Sequence, residues 1–124
     1  MIHNEGPGWR LQKDPSKQKY SILIGGENWA VELSEKEWDC LCPVVFELID
    51  QYEELQKQLM PEEKIFLEIE RSPWWACING TKENWSLKLI LSGEDVEGRG
   101  LEVFWPVYTA SVIVSAMRTM WDCK

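Results

Sequence analysis

The sequence contains one histidine, His3, among 124 residues, and that scarcity excludes much of the catalytic repertoire. A Ser-His-Asp or Cys-His relay needs an imidazole beside its nucleophile, and a paired-histidine metal site needs two. His3 itself falls in an N-terminal stretch expected to fray. Phosphate chemistry has no anchor, because no Gly-x-Gly-x-x-Gly follows a strand and no loop ends in Gly-Lys-Ser/Thr. No run approaches the roughly 18 apolar residues that span a bilayer, and residues 1–10 lack the basic start and apolar stretch of a secretory signal. A soluble cytoplasmic protein, with no membrane contact and no cofactor, is the expectation.

Cysteine is present without arrangement. Cys40, Cys42, Cys77 and Cys123 show no metal-knuckle spacing, and in a reducing compartment they read as thiols. Cys40 and Cys42, two apart on a helix, point roughly 200° apart and cannot clasp one ion. Carboxylate pairs such as Glu68 with Glu70, or Glu62 with Glu63, have the residue types of a glycosidase acid and nucleophile. A solvated strand face accounts for them without chemistry. The chain therefore reads as non-enzymatic.

What is present is ordinary globular composition and an uneven charge. The net charge is −8. Residues 35–70 hold eleven acids and three bases, whereas the remainder holds ten of each. Affinity for nucleic acid rests mainly on Lys and Arg neutralising phosphates, so the usual electrostatic footprint is missing. A local exception, Arg10, Lys13, Lys17 and Lys19 against Glu5 and Asp14, reads as a solvated hairpin.

Period-two alternation marks the strands. In Trp29-Ala30-Val31-Glu32-Leu33, Trp29, Val31 and Leu33 face one way and Ala30 and Glu32 the other. Residues 20–24 form its partner, with Gly25-Gly26-Glu27-Asn28 supplying positive-φ positions for a tight turn, and residues 9–13 form a strand before both. Ser34-Glu35-Lys36-Glu37 is a capping box. It opens a long helix whose stripe runs Trp38, Leu41, Val45, Leu48, Ile49, Tyr52, Leu55 and Leu59. Pro43 predicts a kink near Asp39 or Cys40, or a later start, and Pro61 marks the end. Residues 64–70 alternate again. Residues 74–78 and 85–91 form a hairpin whose loop opens with Asn79-Gly80. A polar loop over 94–100, a strand over 101–105 and a second helix with Pro106 in its first turn and its end near Trp121 complete the chain.

The expected architecture is α+β, one domain over 1–124: three strands and a helix, then four strands and a helix, with antiparallel sheets each followed by a helix. An internal repeat, with halves at about 8–59 and 64–121, is indicated by Glu27-Asn28-Trp29-Ala30-Val31-Glu32-Leu33 and Glu83-Asn84-Trp85-Ser86-Leu87-Lys88-Leu89, which occupy equivalent places.

Eight tryptophans are the unusual feature. Trp9, Trp29, Trp38, Trp85, Trp105 and Trp121 fall on apolar faces or element ends, where large aromatics fill small cores. Adjacent Trp74 and Trp75 must point to opposite faces of a sheet, so one of them is covered by the second helix or left exposed to stack on a base, a flat ligand or a partner protein.

Several segments together resemble a cyanobacterial family, domain of unknown function 1818. They are Gly6-Pro7-Gly8-Trp9-Arg10-Leu11, Gly25-Gly26-Glu27-Asn28-Trp29-Ala30-Val31-Glu32-Leu33, the capping segment over 34–42, Leu59-Met60-Pro61-Glu62-Glu63-Lys64-Ile65, Trp85-Ser86-Leu87-Lys88-Leu89-Ile90-Leu91, and Glu97-Gly98 followed by Trp105-Pro106. The chain departs from the pattern at Pro61, where an acid is usual, and in a longer insert between Glu97-Gly98 and Trp105-Pro106. The resemblance implies a fold similar to the single-stranded-DNA-binding transcriptional regulators, without transferring a function.

Two expectations about partners follow. In one, Trp74 or Trp75 with Arg10, Lys13 and Lys88 holds single-stranded nucleic acid. In the other, favoured by the charge balance, the acidic helix and exposed aromatics engage a partner protein or a second copy of the chain.

Overall fold

The computed structural model describes residues 1–93 and 98–122; Cys123 and the 94–97 part of the expected polar loop lie outside them. Each half of the chain is a four-stranded antiparallel meander closed by a helix. The first sheet comprises β1 (Ile2–Gly6), β2 (Trp9–Lys13), β3 (Ile22–Gly26) and β4 (Ala30–Leu33), followed by helix α1 (Glu35–Gln56). The second comprises β5 (Ile65–Arg71), β6 (Trp74–Gly80), β7 (Trp85–Leu91) and β8 (Leu101–Trp105), followed by α2 (Ala110–Asp122). The α+β reading holds, but the first half has four strands rather than three. His3, expected to fray, pairs with Gln12 across β1 and β2. Residues 2–5 are exposed, so this edge strand is held by backbone hydrogen bonds and carries no apolar alternation to announce it.

Strand periodicity sorts each sheet into an inner and an outer face. Trp9 and Leu11, Ile22 and Ile24, and Leu33 turn inward from the first sheet; Ile65 and Ile69, Trp74, Ala76 and Ile78, Leu87 and Leu89, Val103 and Trp105 turn inward from the second. The helices lie between and across them. α1 packs on β5 and β6 and touches β4, while α2 packs on β2, on β7 and on α1. α1 thus lies mainly on strands of the other half, α2 bridges one strand from each half, and one hydrophobic core results.

α1 begins as its sequence dictates. The Ser34 hydroxyl accepts from the Glu37 N–H at 3.1 Å and the Glu37 carboxylate accepts from the Ser34 N–H at 2.8 Å. The helix continues through Pro43 without interruption. Pro43 and Asp39 both lie on the exposed side, so losing one backbone bond there leaves nothing polar stranded in the core, and buried Leu41, Cys42, Val44 and Val45 hold the same turn against the sheet. α2 begins four residues after Pro106, not at it. Tyr108 has φ of 74°, a left-handed conformation that no helix interior accepts, so the first helical residue is Ala110.

Both glycine-marked turns are built differently from the expectation. Gly25 and Gly26 belong to β3 and are not among the positive-φ residues, which among the described residues are Gly8, Gly80, Gly98 and Tyr108. Their role is close approach: a Cβ on Gly26 would lie 2.2 Å from the Trp29 indole nitrogen. Asn79 and Gly80 likewise finish β6, and the reversal is made by residues 81–84, closed by the Thr81 N–H donating to the Asn84 carbonyl at 2.8 Å.

Tryptophans tie the halves together. The Trp74 indole donates to the Glu37 carbonyl at 2.9 Å and the Trp105 indole to the Gly25 carbonyl at 3.0 Å, so two fully buried rings keep their polar edge satisfied. Trp29 is half-buried and packs on Trp105 with ring centroids 5.2 Å apart. Arg99 adds a polar clasp. Its Nε lies 3.0 Å from the Glu37 carboxylate, its guanidinium covers the Tyr20 ring at 4.6 Å, and it donates to the Glu32 carbonyl.

Candidate functional site

The outer face of the second sheet is where the molecule departs from what folding alone requires. Its residues are those of opposite parity to the core set, and strand register arranges them in rows. One row runs Phe66, Asn79 and Ser86; the next Glu68, Cys77, Lys88 and Phe104; the third Glu70, Trp75, Ile90 and Glu102. Phe66 is 60% exposed and Phe104 45%, one on each edge strand. Trp75 and Ile90 are half-buried between them. Three carboxylates, Glu68, Glu70 and Glu102, are exposed on the same surface, and Lys88 is its one cation among the described residues.

Trp75 is held in a defined pose. Its indole N–H donates to Glu68 Oε2 at 3.1 Å, which fixes the ring over the neighbouring strand. Cys77 lies under this surface, 5% exposed. Burial first, and the Glu68 carboxylate second, push its thiol above the ordinary range, so it stays protonated and unreactive at neutral pH. Cys40, Cys42 and Cys77 are thiols, not disulfides.

The five residues expected to share a binding surface are not brought together. Trp74 is withdrawn from it: the ring is 1% exposed and faces α1. Trp75 is its outward neighbour, as strand alternation requires. Lys88 stands on the same outer face, one strand away and diagonal to Trp75. Arg10 is on the outer face of the other sheet, where it pairs in register with Glu5 and Gly25. Lys13 points the opposite way from Arg10, in the row of Trp9 and Leu11, with its ammonium 3.6 Å from Glu35. Of the rest of the basic cluster, Lys17 binds Glu32 at 2.6 Å, and that bond raises its pKa, while the Lys19 ammonium lies 5.3 Å from the centre of the Tyr20 ring. The connection between β2 and β3 is solvated, and the pairing acids come from β4 and α1.

The model of the family described as domain of unknown function (DUF1818) matches residues 4–120. The chain belongs to that family. A crystal structure at 1.80 Å of a protein of unknown function from Prochlorococcus sp. NATL2A, assigned in its own description to DUF155, is 51% identical, with a TM-score of 0.91 over 98% of this chain and 99% of that one. No curated protein matches. The family and its cyanobacterial structural neighbour thus share the fold described above, and neither brings an activity.

Phe66 and Phe104 were not among the residues singled out from the sequence. The signal for Phe66 was there: it lies on the row of Glu68 and Glu70, opposite in parity to Ile65, Leu67 and Ile69, and an aromatic on a solvated row is a surface feature. Phe104 sits between core residues Val103 and Trp105, and only the register places it beside Lys88.

Proposed function

We propose that this member of the DUF1818 family is a non-enzymatic cytoplasmic binding domain whose partner is another protein, docked on the outer face of the second sheet. The observation that carries this reading is the exposed pair Phe66 and Phe104, on the edge strands either side of Trp75 and Ile90, on a face that no helix covers among the described residues. Folding does not need two exposed phenylalanines on one sheet, and aromatics exposed on one surface are what protein interfaces enrich. The electrostatics choose among partners. A second copy presenting the same face would set Glu68, Glu70 and Glu102 against their equivalents with one lysine each, which opposes self-association. The same carboxylates repel phosphates. A partner with an apolar patch bordered by basic residues complements both features.

Single-stranded nucleic acid is the second reading, supported by Trp75 as a stacking platform beside Lys88. It is the weaker one, because Arg10 and Lys13 lie elsewhere and cannot add phosphate contacts on this face.

The test is affinity capture from a nuclease-treated cyanobacterial lysate with the native protein and with the double variant Phe66→Ser, Phe104→Ser. A protein retained by the native chain should fall by at least about tenfold on the variant, as loss of aromatic interface anchors does, while thermal unfolding of the two remains alike. Equal capture by both would remove the face from the interaction.

A further inference from the structure

The third row of that face, Glu70, Trp75 and Ile90, runs into a cavity of about 310 Å³ beside the turn between β5 and β6. Pro73, Trp75 and Ile90 supply its apolar walls, and Glu70, Ser72 and Ser92 its polar ones. The volume suits one long side chain rather than a cofactor. Among the described residues, Glu70 is the one ionisable group lining it. Its carboxylate is exposed and makes no hydrogen bond or ion pair among the described residues, whereas Glu68 is already engaged by the Trp75 indole.

We infer that this cavity is the anchor pocket for an arginine side chain of the partner. The inference rests on the proposed docking of a protein at this face, and it names the chemistry that does the anchoring. An arginine has an aliphatic stem to lay on Pro73 and Ile90, a flat cation to stack on the indole, and a fork of donors that matches a carboxylate. Each of those three features meets a complementary group here. A lysine offers the stem and the charge but neither the planar stack nor the bidentate fork, so it is the poorer occupant. A neutral apolar side chain would leave Glu70 without a partner at the pocket rim. Trp75 is pre-positioned for this work, since its bond to Glu68 sets the ring before any ligand arrives.

The experiment is a titration of the full-length isotope-labelled protein with N-acetyl-arginine methylamide, followed by the indole N–H resonance of Trp75, assigned by its disappearance in Trp75→Phe. A ligand of this size binds on a scale of about 1 mM, so the titration extends well above it. The arginine probe should shift the Trp75 resonance saturably. The citrulline analogue, which has the same shape without the charge, should bind at least about fivefold more weakly, and Glu70→Gln should weaken the arginine probe by a similar factor. Equal binding of arginine and citrulline, no effect of Glu70→Gln, or no saturable shift would each overturn the pocket. The two readings fail separately. If the probe does not bind but capture still depends on Phe66 and Phe104, the docking face stands and its arginine anchor falls; if the probe binds and capture ignores the phenylalanines, the pocket stands and the face falls.

Discussion

The two sheets have the same strand order and pool their inner faces into one core, yet their outer faces differ. The first shows Arg10, Gln12, Glu5 and Glu32 around Gly25 and Ala30, with half-buried Leu23 the one larger aliphatic residue on its two central strands. The second shows Phe66, Phe104, Trp75 and Ile90. Its strands are also longer: β5, β6 and β7 have seven residues each, against four or five in the first sheet. The additional length supplies a further outer row. Since the first sheet folds against the shared core without exposed aromatics, those on the second are not a requirement of the architecture. They are the difference that a partner would read.

The sharpest way to break this comparison is to truncate the two adjacent tryptophans separately. Trp74→Ala removes a buried ring with a satisfied indole and should lower stability by about 3–5 kcal/mol. Trp75→Ala, on the outer face, should cost no more than about 1 kcal/mol. Urea denaturation of both variants decides it. Comparable losses would mean that the outer face is covered in solution and that the distinction between the two faces is wrong.

Arg99→Ala ranks next. It leaves Glu37, whose side chain is 4% exposed, without its counter-charge and removes the cover over Tyr20. Stranding a buried carboxylate is costly, but the Arg99 side chain is itself 27% exposed, so water partly substitutes and a loss of roughly 2–3 kcal/mol is expected. Arg99 precedes β8 and grips β4 and α1, so the effect should appear in the first half of the chain. Amide hydrogen exchange should quicken at residues 30–37. Quickening confined to the second sheet would show that Arg99 does not clasp the halves.

Much of this was legible in the sequence because burial writes periodicity. The strand Ala30–Leu33, the seven-residue strands and the capping box of α1 each carry their own pattern. What escaped lacks such a pattern. β1 is exposed on both faces, so nothing apolar alternates along it. The glycines at 25 and 26 read as turn residues, and only the tertiary structure shows that Gly26 makes room for the Trp29 indole and Gly25 for the Trp29 backbone carbonyl. The site divides the same way. Alternation alone shows that Trp74 and Trp75 face opposite sides, but which side is covered depends on α1 crossing β5 and β6, a tertiary fact. That Arg10 and Lys13 diverge was readable, since residues three apart on a strand point to opposite faces.

The smallest expected effect concerns single-stranded DNA. A thymine oligonucleotide at physiological salt should bind at micromolar affinity or poorer. Tight binding draws on several clustered cations releasing counterions from the phosphates. The outer face of the second sheet offers Lys88 against Glu68, Glu70 and Glu102, and on the first sheet the cations near Arg10 are largely paired, Lys13 with Glu35 and Lys17 with Glu32. Those carboxylates act within the screening length of about 8 Å at this salt. Stacking on Trp75 would return about 1–3 kcal/mol per base, which does not reach nanomolar affinity from a single platform. Fluorescence titration of the native protein and of Trp75→Ala, at low and physiological salt, reports on both terms. Nanomolar binding that survives physiological salt and is lost in Trp75→Ala would make the aromatic face of the second sheet a nucleic-acid surface, and would overturn the argument that its carboxylates select a basic protein partner.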